Sequence, residues 1–73
     1  MEGKLRKIRD LKITTSYVMI SYARNGHLLY EGVVEEIPPH LLDYYVDYVS
    51  VNKYTDKTYI ECVEDTHWFD VEE

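Results

Sequence analysis

The residues of this chain best equipped for chemistry are three histidines and one cysteine, and their spacing argues against a catalytic or metal centre. His27 follows Asn25-Gly26, His40 follows Pro38-Pro39, and His67 stands near the C-terminal end. No pair has the short spacing with which a turn or helix offers two ligands to zinc, and Cys62 has no second cysteine beside it. A cysteine–histidine nucleophile needs the two side chains in contact, next to a place for an oxyanion. Cys62 instead reads as an inward strand position, where burial raises a thiol's pKa and leaves it inert. Carboxylates close in sequence, Glu35/Glu36 and Asp43/Asp47, support acid–base chemistry only inside a cleft, and Asp43 and Asp47 flank a helix-to-strand junction facing solvent. Three scattered glycines make no phosphate loop. The expectation is a protein that is not an enzyme, without cofactor or metal.

Tyrosine departs furthest from ordinary composition, at eight of 73 residues. It covers a large area with few rotatable bonds and keeps a polar tip, which suits interfaces. Here the tyrosines are interleaved with carboxylates. Aromatic rings among lysines would suit single-stranded nucleic acid. Rings among Asp and Glu suit a protein surface that itself holds nucleic acid, because spaced carboxylates engage the same Lys and Arg side chains as phosphates do. The candidate partner-binding residues are Tyr44, Tyr45, Asp47 and Tyr48 at the helix-to-strand junction, and Glu64, Asp65, Trp68, Phe69 and Asp70 in the C-terminal stretch. Trp68-Phe69 is the residue type enriched at binding hot spots.

Charge sharpens this reading. The chain carries a formal −6. Lys4, Arg6, Lys7, Arg9 and Lys12 crowd the first twelve residues, whereas from Ile13 onward only Arg24, Lys53 and Lys57 face twelve carboxylates. A body this acidic repels phosphate backbones and steers basic partners towards itself. The length makes one small domain over residues 1–73, with 64–73 an acidic aromatic tail. A single core at this size supplies about 3–5 kcal/mol at most. One cysteine allows no internal disulfide, so a homo-oligomer is expected. No apolar run reaches the ~18 residues of a membrane span and no signal-peptide pattern is present, which points to the cytoplasm.

The elements that must position these residues read as an α+β fold. Leu5, Ile8 and Leu11 give one apolar stripe on an N-terminal helix over residues 3–11. Residues 13–23 are β-branched and aromatic, a strand. Asn25-Gly26 then predicts a two-residue hairpin loop, pairing Tyr22 with Leu29, Ile20 with Glu31 and Val18 with Val33. Pro38-Pro39 ends the second strand and opens a short helix over residues 40–45. Residues 45–54 alternate, with Val49 and Val51 inward and Tyr48, Ser50 and Asn52 outward. A second hairpin centred on Asp56-Lys57 pairs Tyr54 with Tyr59 and brings Ile60 and Cys62 to the inward face. The expected architecture is a four-stranded, mainly antiparallel sheet of two hairpins, with an N-terminal helix and a short helix between the hairpins.

Ile8-Arg9-Asp10-Leu11, Leu29-Tyr30-Glu31-Gly32, Glu36-Ile37-Pro38 and Leu41-Leu42-Asp43 together resemble a group of small acidic proteins encoded by phages and mobile elements of Gram-positive bacteria. The likeness spans residues 8–51. It implies a bacterial host cell, where short acidic proteins of this kind act as inhibitors of host enzymes, including anti-CRISPR and anti-restriction proteins. The functional expectation is a non-catalytic protein-binding module: a phage protein whose acidic surface acts as a DNA mimic towards a basic, nucleic-acid-handling enzyme. The alternatives are a nucleic-acid-binding β-sheet that uses the basic N-terminal segment, and a structural, self-assembling domain.

Overall fold

The computed structural model of the protein describes residues 6–65. Four strands, β1 (Tyr17–Tyr22), β2 (Leu28–Val33), β3 (Tyr45–Asn52) and β4 (Lys57–Val63), form one sheet in the order β2-β1-β4-β3. Both hairpins are antiparallel, but β1 and β4 meet side by side as a parallel pair at the centre. The sheet is therefore mixed, and two expected hairpins have become one continuous surface. Asp56 fastens the parallel seam at one end. Its backbone adopts φ 56°, its carbonyl accepts from the Tyr17 N–H at 3.1 Å, and its carboxylate accepts from the Ser16 N–H at 3.1 Å. At the other end the Ala23 N–H donates to the Cys62 carbonyl at 2.8 Å.

Both hairpin registers differ from the sequence expectation. In the first, the loop runs over residues 23–26 and is closed by Tyr22 N–H donating to His27 C=O at 2.8 Å. Gly26 takes φ +77°, while Asn25 stays at negative φ, so this is not the mirror-image two-residue turn. Val18 consequently pairs with Gly32, Ile20 with Tyr30 and Ser21 with Leu28, with a bulge between Ile20 and Ser21. A one-residue slip exchanges the faces of a strand, so Glu31 and Val33 leave the side expected for them. In the second hairpin, Asn52 Oδ1 accepts from the N–H groups of Tyr54 and Thr55 and builds the turn itself. Tyr54 is thereby left fully exposed in the turn, and Tyr59 pairs with Ser50 instead.

Among the described residues there is no α-helix. The connections are 3₁₀ turns at Ile8–Asp10, Val34–Glu36 and Pro39–Asp43. The expected N-terminal helix over 3–11 lies partly outside the described residues. Within them, Val46 N–H donates to Arg6 C=O at 2.7 Å and Ile8 N–H to Tyr44 C=O at 3.0 Å. That bridging draws residues 6–7 onto the edge of β3 and leaves one tight turn for the helix. The short helix expected at 40–45 is likewise a single turn, because the chain must cross the whole sheet between β2 and β3. A 3₁₀ turn advances about 2.0 Å per residue against about 1.5 Å for an α-helix, so it spans the distance with fewer residues.

The turns place Ile8, Ile37 and Leu41 on one face of the sheet, against Val18, Ile20, Ile60 and Cys62 of the two central strands. Leu11, Ile13, Leu29, Val34, Leu42, Val46 and Val49 complete the layer. Full burial of such aliphatic side chains stabilises by about 1.5–3 kcal/mol each. Thr58, buried among them, is satisfied by the Thr15 hydroxyl at 2.7 Å. Gly32 is required by packing: the Tyr30 ring folds over it to donate its hydroxyl to Val33 C=O at 2.7 Å, and a Cβ at Gly32 would sit 2.7 Å from that hydroxyl.

Candidate protein-binding face

Strand alternation sends Val18, Ile20, Ile60 and Cys62 into the core and their neighbours to the opposite side. The registers arrange those neighbours in rows. Asn52, Lys57, Tyr17 and Val33 form the first; Ser50, Tyr59, Met19 and Glu31 the second; Tyr48, Glu61, Ser21 and Leu28 the third; Tyr45 and Val63 begin the fourth. The described segments outside the sheet that pack against it, including Leu11, Ile13, Ile37, Leu41, Leu42 and Tyr44, lie on the core side. The opposite face keeps large apolar area in contact with solvent: Tyr17 is 46% exposed, Tyr48 52% and Leu28 54%.

This face is ordered by its own contacts. Tyr48 and Tyr59 meet edge to face, ring centroids 6.2 Å apart. The Tyr59 hydroxyl donates to Glu61 at 2.8 Å, a bond to a carboxylate that holds the phenol proton and raises its pKa. Lys57 reaches Glu31 at 2.7 Å across β1, so its charge is already met by a carboxylate. The side chain of Lys7 stands over the Tyr45 ring, 5.6 Å from its centroid. Asp47, the extra residue of a bulge between Val46 and Tyr48, projects exposed beside these tyrosines. The surface offers aromatic faces with carboxylate acceptors between them, which is the chemistry that receives arginine and lysine side chains.

The expected partner-binding residues divide over three places. Tyr45, Asp47 and Tyr48 belong to this face or its margin. Tyr44 packs on the core side, edge to face with His40 at 6.4 Å. Glu64 and Asp65 sit beyond the end of β4, where Arg24 lies 3.5 Å and 3.1 Å from them and the Tyr22 hydroxyl donates to Glu64 at 2.5 Å. That hydroxyl, first, and then the backbone hold the Glu64 carboxyl below the usual range. Trp68, Phe69 and Asp70 lie outside the described residues. Sequence reasoning passed over Tyr17, Met19, Tyr59, Glu61 and Leu28 as site residues. Only the parallel β1–β4 seam brings them together, and no local signal marks that seam.

The groups considered for catalysis stand apart. Cys62 is fully buried, its thiol directed at Ser21 C=O at 3.7 Å, and burial pushes its pKa up to about 12. His27 and His40 are exposed on different connections. Among the described residues no three His, Cys, Asp or Glu side chains are grouped so as to hold a metal ion, and no helix is long and apolar enough to cross a membrane. On the core side two shallow clefts of about 290 Å³ flank residues 11–13, the first lined by aliphatic side chains and Arg9. The Arg9 guanidinium is engaged by Asp43 at 2.8 Å. Comparison with protein-family models, with curated proteins and with solved structures finds no match for this chain.

Proposed function

We propose that the protein is a non-catalytic protein-binding module and that the tyrosine-bearing face of its sheet is the binding surface. The observation that carries this reading is the row arrangement itself. Tyr17, Tyr48, Tyr59 and Met19 present apolar area that no described segment covers, with Glu61 and Asp47 beside them and Lys57 neutralised by Glu31. A contiguous aromatic patch of this kind on a small domain is the signature of an interaction site. Its partner is a basic protein. Arginine or lysine side chains stack on the tyrosines while the carboxylates take their N–H groups, as phosphates do in a nucleic-acid groove. In its specific form the proposal is a phage or mobile-element inhibitor acting in the bacterial cytoplasm on a nucleic-acid-handling enzyme, in the manner of anti-CRISPR or anti-restriction proteins. Self-association into a homo-oligomer is part of the same reading, since a second copy is also a protein able to cover an aromatic face.

The test is affinity capture of host proteins on the immobilised chain, run beside the same chain carrying Tyr48→Ala and Tyr59→Ala. The expected result is a basic nuclease or similar enzyme held by the first, lost from the second, and inhibited in proportion to its occupancy. Direct binding of a polynucleotide, weakening steeply with salt, would reassign the face to nucleic acid. Sedimentation showing a large closed assembly with these tyrosines buried would reassign it to a structural role.

A further inference from the structure

Val51 is out of keeping with the side of the sheet on which it stands. It pairs with buried Thr58, and Val49 beside it pairs with buried Ile60, yet Val51 is 51% exposed. The turn residues Ile8, Ile37 and Leu41 share a cluster with Ile60 and Cys62, and Val51 lies outside that cluster. The covering layer therefore gives out towards the β3–β4 turn. What remains there is the second of the two core-side clefts, about 290 Å³, with Leu11, Ile13, Val49 and Val51 in its wall. Arg6 and Lys12 line it as well.

The two clefts are equal in volume and differ in charge. In the first, the cation, Arg9, is engaged by Asp43 at 2.8 Å. In the second, neither Arg6 nor Lys12 has a carboxylate within ion-pair reach among the described residues, whereas Arg24 and Lys57 do. That is notable in a chain of formal charge −6.

We propose that the second cleft binds an aliphatic carboxylate, its alkyl chain against Leu11, Ile13, Val49 and Val51 and its anionic head on Arg6 and Lys12. Charge complementarity carries the head: a guanidinium takes a carboxylate through two parallel N–H···O bonds. The acidic body around the cleft repels heads of higher charge. Arg6 is anchored for this, since its carbonyl accepts from the Val46 N–H at 2.7 Å at the edge of β3. The apolar wall carries the tail. Thr58 is satisfied by the Thr15 hydroxyl at 2.7 Å and asks nothing of an alkyl chain. The volume holds about ten water-sized groups, which is the size of octanoate.

Octanoate is accordingly the probe, titrated into the intact chain below its micelle concentration and followed through backbone amide resonances. The expected result is saturable shifts concentrated at Ile13, Thr14, Val51 and Thr58, with Tyr17, Met19 and Tyr59 unmoved. Octanol, which lacks the charge, binds about tenfold more weakly, the scale of one hydrogen bond between charged groups. Arg6→Gln with Lys12→Gln weakens octanoate by about the same factor. Arg9→Gln, a charge removed from the other cleft, leaves it unchanged. All three side chains are exposed, so these variants keep the fold, and far-ultraviolet circular dichroism checks that. Val51→Asp sets a negative charge in the cleft and abolishes binding. The proposal is overturned by the absence of saturable shifts, or by shifts centred on the tyrosine face or on Val34 and Ile37 of the first cleft. Equal binding of octanol, or equal losses from Arg9→Gln and from the double variant, would overturn it too. The cleft lies on the side of the sheet away from the tyrosines, so either site can fail its test while the other stands.

Discussion

The two faces of the sheet are built from alternate residues of the same four strands, and they differ in almost every property. The core face carries Val18, Ile20, Ile60 and Cys62 and is closed by three short turns bearing Ile8, Ile37 and Leu41. The opposite face carries Tyr17, Met19, Tyr48 and Tyr59 with Glu31, Glu61 and Lys57 among them, and much of its tyrosine area meets solvent. Backbone pairing is common to both, so the difference lies wholly in side chains. One face is made to be shut by aliphatic packing. The other combines exposed aromatic area with carboxylate acceptors, the combination on which the proposed partner binding rests. The comparison teaches that one sheet can hold its packing on one face and, on the proposed reading, its recognition surface on the other.

The sharpest way to break that comparison is to cut the same kind of volume from each face. Ile60→Ala removes packing at the centre of the core and is expected to cost about 2–5 kcal/mol, enough to unfold much of the population. Tyr48→Ala on the other face is expected to cost about 1 kcal/mol or less. Urea unfolding of both variants checks the contrast, and equal losses would mean that the tyrosine face is a second core.

Gly32 tests the margin between them. Gly32→Ala must displace the Tyr30 ring and its bond to Val33 C=O, at an expected cost of about 1–2 kcal/mol. In a Tyr30→Ala background the same substitution should cost far less, and a double-mutant cycle by urea unfolding reads the coupling.

A further contrast is read through pH on the core face. The folded thiol of Cys62 keeps its proton to about 12, whereas the unfolded thiol loses it near 9. Above that lower value the native state holds more protons than the unfolded state, so stability falls as pH rises through the window. Cys62→Ala should show a shallower alkaline decline than the wild-type chain. Identical alkaline limbs would mean that the thiol is hydrated.

The smallest effect belongs to Glu64, whose carboxyl is held low by the Tyr22 hydroxyl first and, further down the order, by Arg24. Its contribution is present above the ordinary glutamate range and is lost as pH falls through the depressed value. Glu64→Gln should flatten that part of the acid limb slightly, since the group is exposed and screened by solvent. Thermal unfolding between pH 3 and pH 6 would show it, and an unchanged acid limb would leave the Tyr22 bond without energetic weight.

Some of this was legible in the residues themselves. Alternation in β3 and β4 placed Val49, Val51, Ile60 and Cys62 on one face and Tyr48, Ser50 and Asn52 on the other, because strand alternation is a local property that survives a change of partner. Pro38-Pro39 opens the last turn as expected, but it does not end the second strand: β2 stops at Val33 and a 3₁₀ turn at Val34–Glu36 comes between. The buried thiol followed from its apolar neighbours. The first hairpin was harder. Asn25-Gly26 announced a turn but not its length, and a loop over residues 23–26 in place of two residues moved Glu31 and Val33 to the other face.

What the chain determined by itself, then, is which stretches extend, where they break, and which side chains of β3 and β4 share a face. All of that is settled by contacts a few residues apart. The tertiary structure alone decided that β4 would lie parallel to β1 and that three short turns would all close one side. Those pairings join residues some forty positions apart, Tyr17 with Lys57 and Ser21 with Glu61, and their free energy depends on the whole sheet forming at once. The tyrosine face exists only through that seam, which is why its members could not be gathered from the sequence.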